Sequence, residues 1–138
     1  MAEALILDSE AVHALARATE RGVLAQRARA ILTVAYERRA LVRVPAAVFA
    51  EVCRGPRFDA AENHLLQGHG IVVCDMGRDI AQRAGEILFR CKLSSQHAVD
   101  AFVVATALSF ESAIIATGDP KDLRNLASPY RQIQVLAL

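Results

Sequence analysis

Four short, mostly apolar runs constrain this chain more than anything else in it: residues 4–7 (ALIL), 41–44 (LVRV), 70–74 (GIVVC) and 113–116 (AIIA). Each has the length of a strand, and three are apolar at successive positions, which suits strands buried on both faces. Residues 133–136 give a last strand. Helical patterns fill the gaps. Ser9 is placed to cap a helix running to about Ala18, and residues 23–39 repeat Leu24, Ala28, Ile31, Leu32 and Ala35 at helical spacing. Pro45 suits the first position of a helix that AAVFAEVCR continues until Gly55-Pro56 stops it. Residues 58–67 form a further short helix, Asp75 is placed to cap a helix over 77–92, and Ser94 and Ser95 a strongly apolar one over 96–110. Residues 120–127 make the last helix. This alternation predicts a parallel sheet with helices on both faces, a three-layer α/β fold, with residues 1–138 forming a single domain.

The balance of residue types removes several function classes. A net charge of +1 excludes binding to nucleic acid by bulk charge alone, although a nuclease with an acidic site stays compatible with it. Aromatics make up 5% and there is no Trp, which argues against a base-stacking platform or a sugar cleft. Cys53, Cys74 and Cys91 are odd in number and scattered, so they imply neither a disulfide framework nor a zinc site. No apolar run approaches the ~18 residues of a membrane helix, and MAEA lacks the basic start of a signal peptide. The expected compartment is the cytoplasm.

Chemistry enters with the acids. In an open parallel sheet, ligands bind beyond the carboxyl ends of the strands. Asp8 ends the first strand, and Asp119 lies in the turn ATGDP just past the fourth. Singly, each reads first as a cap or a turn residue. Asp100 is the only charge in AVDAFVVATAL, and Glu51 the only charge in PAAVFAEVC. Both sit on nearly all-apolar helices, which predicts burial, and a buried carboxylate is costly unless it is paired, hydrogen-bonded or bound to a metal. A structural pair is one reading of each: Arg54 follows Glu51 at i+3, and Ser94 or Ser95 lies near Asp100. Together the four acids converge on one pocket whose mutual repulsion calls for a cation. An all-oxygen donor set favours Mg²⁺ or Mn²⁺, and the chemistry that fits is metal-assisted hydrolysis of a phosphodiester.

The pieces LILDSEAV (5–12), VPAAVFAEVCRG (44–55), HAVDAFVVATAL (97–108) and ATGDPKDL (116–123) resemble the PIN-domain ribonucleases, in particular the VapC-type toxins of toxin–antitoxin pairs. HAVDAFVVATA is the most specific of them. The resemblance matches the family's four acids to Asp8, Glu51, Asp100 and Asp119, and its hydroxyl residue near the fourth acid to Thr117. It implies a five-stranded parallel sheet, Mg²⁺ or Mn²⁺ dependence, RNA products with 5′-phosphate and 3′-hydroxyl ends, a homodimer, and a small cognate antitoxin. One departure is Ser9-Glu10, where members often show Thr-Asn or Ser-Ser; Ser9 keeps a hydroxyl in support of the site, while Glu10 adds an acid. Asp122 is read as a cap or an outlying acid, and His97, one turn before Asp100, as a cap or supporting partner. His13, His64 and His69 carry no signal.

Substrate contacts are sought among the arginines, which make up all but Lys92 and Lys121 of the basic residues. Residues 17–43 carry a net +5 against −4 for the rest, which suggests a basic arm beside an acidic pocket. Arg54 and Arg57, just after Glu51, are the best placed to meet RNA. The apolar helix 98–108 offers a dimer face. Two rivals remain: a catalytically silent partner-binding module on the same fold, and a receiver-like phosphoacceptor domain with Asp75 as acceptor. The second lacks the paired first-strand acids and the last-strand lysine that such a pocket needs.

Overall fold

The computed structural model describes residues 3–17, 22–68 and 70–138. Five strands form one sheet: β1 (Glu3–Leu7), β2 (Leu41–Pro45), β3 (Val72–Cys74), β4 (Ser112–Thr117) and β5 (Ile133–Ala137). Their order is β3-β2-β1-β4-β5 and every pairing is parallel. The central strand β1 is buried from Ala4 to Leu7, as a strand covered on both faces requires. Its register sets Ala4 against Leu41 on one side and against Ala113 on the other.

Among the described residues seven α-helices connect the strands: α1 (Ser9–Ala16), α2 (Val23–Glu37), α3 (Ala46–Val52), α4 (Pro56–Gly68), α5 (Arg78–Cys91), α6 (Ala98–Leu108) and α7 (Pro120–Ala127). Helix α6 packs on β1, β2 and β4 and is flanked by α5 and α7, while α1 packs with α2, α3 and α4. The core is aliphatic, with Ile6, Val42, Val44, Val103, Val104, Ile115, Leu123 and Leu126 almost wholly removed from water. At about 25 cal/mol per Å² of apolar surface, each such side chain contributes roughly 1.5–3 kcal/mol.

Local chemistry shifts several expected boundaries. Asp8, not Ser9, caps α1: its carboxylate accepts from the Ala11 N–H at 3.0 Å. The helix ends at Ala16, and Ala18 lies outside the described residues. Pro56 does more than stop α3, because its fixed φ also starts α4 two residues earlier than the apolar pattern suggests. Asp75 caps nothing: Gly77 holds the cap position of α5, with no side-chain bond, and the helix closes at Lys92 in the left-handed region. Ser94 and Ser95 cap no α-helix either; residues Ser95–His97 form a 3₁₀ turn that leads into α6 without a side-chain cap bond. The third strand keeps only three of its five expected residues, since it lies at the sheet edge.

Most of the apolar surface of helix α6 is spent inside the fold, with only Val99, Phe102 and Leu108 partly exposed among its large apolar residues. Ala101 and Val103 to Ala107 are buried within the fold, so this part of its apolar surface is taken up by the sheet and by its neighbours. Among the described residues no helix is long and apolar enough to cross a membrane.

Candidate active site

The strand order creates the site. From β1 the chain builds outward to β2 and β3, then returns to place β4 and β5 on the other side of β1. The crevice between the carboxyl ends of β1 and β4 is therefore the topological switch point, where α/β sheets bind ligands. Asp8 follows β1 there and Thr117-Gly118-Asp119 ends β4, the two joined by the Asp8 N–H donating to the Ala116 carbonyl at 3.2 Å. Because α6 runs back toward β4, its first turn, with Asp100, also faces the strand ends.

Thr117 links two of the acids. It is fully buried, its hydroxyl is hydrogen-bonded to Asp8, and its Oγ1 accepts the Asp119 N–H at 2.9 Å. One hydroxyl thus donates to one carboxylate and fixes the backbone that bears another. Ser9 makes a second link: its hydroxyl donates to the Glu51 carboxylate and joins α1 to α3. Beside them Glu10 lies over Gly118. A Cβ on residue 118 would stand 2.7 Å from the Glu10 Cβ, so only glycine permits this close approach of α1 to the turn.

The electrostatics are those of acids crowded together. Burial pushes the Asp8 carboxyl up to about 6, opposed by the bonds from Thr117 and Ala11 and reinforced by Glu10 and Asp100. Asp100 is raised too, first by burial and then by Asp122, Glu51 and Asp119, with His97 pulling the other way. The expected full burial of Glu51 and Asp100 does not hold. Both are half-buried, open toward the crevice, and Asp119 is exposed. Arg54 does not neutralise Glu51; its Nε donates instead to the Glu51 backbone carbonyl at 2.9 Å.

Two residues given minor roles by the sequence stand inside the cluster. His97, Asp100 and Asp122 each place one ligand atom within 4.8 Å of the other two. Asp122 makes no cap bond, since Asp119 holds the cap position of α7 and no side chain bonds there. The spacing H-x-x-D at 97–100 was the available signal for His97. For Asp122 the signal was weaker, an acid in the first turn of a helix that starts at the strand ends.

The basic arm does not form one patch beside these acids. Arg38 pairs with Glu3 at 2.7 Å, at the opposite end of β1 from Asp8, and Arg39 is its neighbour. Arg43 donates to the Val42 carbonyl. Arg17 turns inward to the buried Glu62, 3.6 Å away, and Arg21 lies outside the described residues. His13, which carried no sequence signal, also reaches Glu62, at 3.2 Å, while His69 lies outside the described residues. Arg54 is exposed just after α3 and Arg57 in the first turn of α4.

The sequence profile of the PIN domain matches residues 5–128. The chain belongs to the PIN-domain family. That span holds Asp8, Glu51, Asp100, Asp119 and Asp122 as well as His97, and the parallel sheet and its helices are the PIN-like α/β fold. No curated protein matches the sequence. Among solved structures, a chain from a toxin–antitoxin complex of Klebsiella pneumoniae superposes with a TM-score of 0.66 at 18% identity. The match covers 94% of this chain and 95% of that one, so the whole PIN fold is shared.

Proposed function

We propose that this PIN domain, acting as one unit over residues 1–138, is a metal-dependent endoribonuclease of the VapC type, the toxin of a toxin–antitoxin pair. The observation that carries the reading is the convergence of Asp8, Glu51, Asp100 and Asp119 on the switch-point crevice, with Asp8 and Asp100 raised by burial and by neighbouring acids. Structural carboxylates are normally matched by cations in the fold; these are matched by further acids. The donor set fits Mg²⁺ or Mn²⁺, because carboxylate oxygens that repel one another are what a hard divalent ion relieves. The structural likeness to a chain of a toxin–antitoxin complex supports an antitoxin partner.

Asp8 and Asp100 would hold the ion, with Asp119 and Glu51 completing the site directly or through water. A bound Mg²⁺ or Mn²⁺ supplies an acidified water and stabilises charge on the phosphoryl oxygens. Thr117 keeps Asp8 oriented by its hydrogen bond, and Ser9 does the same for Glu51. A carboxylate of the cluster would orient the attacking water in line with the 3′-oxygen, so that the P–O3′ bond breaks and the 5′-phosphate and 3′-hydroxyl ends that the family resemblance implies are left. Arg54 and Arg57 contact the RNA backbone on the approach to Glu51. The protein works in the cytoplasm as a homodimer.

The test is purified full-length protein incubated with RNA and Mg²⁺ or Mn²⁺, followed by mapping of new 5′ ends. Defined cuts that vanish with a chelator and in Asp100→Asn are expected. A folded Asp100→Asn protein that cuts at the wild-type rate overturns the assignment, and a wild type that binds a partner but never cuts RNA favours the silent binding module.

A further inference from the structure

His97 stands on the 3₁₀ turn that leads into α6, Asp100 lies one turn later, and Asp122 lies in the first turn of α7. All three are half-buried and within reach of one ion, their ligand atoms lying within 4.8 Å of one another. We propose that His97 is a nitrogen ligand of the metal centre, with Asp100 and Asp122, and that this makes the site favour Mn²⁺ over Mg²⁺. The proposal rests on the metal-dependent reading above and adds to it a ligand and a metal preference.

The argument is one of donor chemistry. Mg²⁺ demands near-ideal octahedral oxygen geometry and gives up its waters reluctantly. Imidazole suits the first-row transition ions, whose affinity for nitrogen sites rises from Mn²⁺ along the series. A neutral imidazole beside two carboxylates also balances a divalent charge without a third anion in contact. Asp122 belongs to this set because its carboxylate lies within 4.8 Å of ligand atoms on both His97 and Asp100, and an ion among them offsets the repulsion of two carboxylates so close together.

The experiment uses the full chain and Mn²⁺ alone, without RNA. Loss of the free-ion signal in electron paramagnetic resonance gives the affinity, pulsed measurements report any ¹⁴N coupled to the bound ion, and Mg²⁺ competition gives the preference. In the wild type ¹⁴N coupling is expected. In His97→Gln the coupling disappears, Mn²⁺ affinity falls about tenfold or more, and the preference over Mg²⁺ falls with it. A thermal melt of the metal-free variant checks the fold, and the half-exposed turn predicts little change. Mn²⁺ bound without nitrogen coupling in the wild type, or coupling that persists in His97→Gln, overturns the histidine ligand and leaves the nuclease reading standing. A wild type that neither binds Mn²⁺ nor cleaves RNA overturns both.

Discussion

Two groups of acids sit half or fully inside this small domain, and they are treated in opposite ways. Glu62 on α4 is fully buried, and α1 supplies it with His13 at 3.2 Å and Arg17 at 3.6 Å, the guanidinium also lying 4.3 Å from the centre of the Phe58 ring. At the strand ends, burial and neighbouring acids raise Asp8 and Asp100 together, and among the described residues no arginine or lysine pairs with either. The first arrangement is a structural joint between two helices, in which cations answer the buried charge. The second has no such cationic partner, and on the reading proposed above a divalent ion supplies that charge. Burial alone therefore does not separate the two groups; the presence of a matching positive charge does.

The largest effect tests the unmatched group. Asp100→Asn removes one carboxylate and keeps the shape, so the metal-free fold persists while cleavage of RNA falls by about 10³-fold or more, roughly 4 kcal/mol in the barrier. Single-turnover cleavage with Mn²⁺ measures it. The matched group predicts the reverse pattern. Arg17→Met takes the guanidinium away from the buried Glu62 and costs about 3 kcal/mol of stability, read by denaturant melts. Its cleavage rate, per folded molecule, stays near the wild type. If Arg17→Met abolished cleavage in a stable protein, the division between the two groups would collapse.

The third effect is a pH dependence. Asp8 titrates near 6 when folded and near its ordinary ~3.9 when unfolded, so the folded state holds that proton more tightly. Protonated Asp8 thus favours the fold below about pH 4, and the advantage is lost as pH rises through 6. Asp8→Asn removes the penalty and keeps a good N-cap. Metal-free Asp8→Asn is expected to exceed the wild type by about 1–2 kcal/mol at about pH 8, the full shift being discounted for partial exposure. Below about pH 4 the two proteins converge. Melts across that range measure it; a difference that does not change with pH would remove the carboxyl from the explanation.

What could be read from the sequence follows the same physics. The parallel sheet showed because β1 and β4 are apolar at successive positions, and Asp8, Glu51 and Asp100 because charge is rare in the segments around them. Helix caps were harder to read, since Asp8-Ser9 and Ser94-Ser95 each offer more than one capping oxygen and only the geometry of the chain chooses. Glu62 was invisible because ENHLL reads as a solvated face, and its burial depends on cations from a helix more than forty residues away. The pairing of Asp122 with His97 depends on how α7 docks against α6, which no local pattern encodes.

The smallest effect concerns the arginines. Charge counted along the sequence places Arg38 in the same basic stretch as residues nearer the site, yet its partner is Glu3, the first residue of β1. Their side chains are 54% and 25% exposed, so the pair contributes at most about 1 kcal/mol and is screened by salt. Its place at the far end of the central strand from Asp8 keeps it off any RNA held in the crevice. Arg38→Gln should leave RNA affinity and its salt slope unchanged within error. Substituting Arg54 and Arg57 together should lower that slope by about 1.4, the value expected when two phosphates of a single strand are no longer neutralised by the protein. An equal drop in both variants would mean that RNA lies along the sheet rather than across its carboxyl ends, and the contrast between the two ends of β1 would then have to be drawn elsewhere.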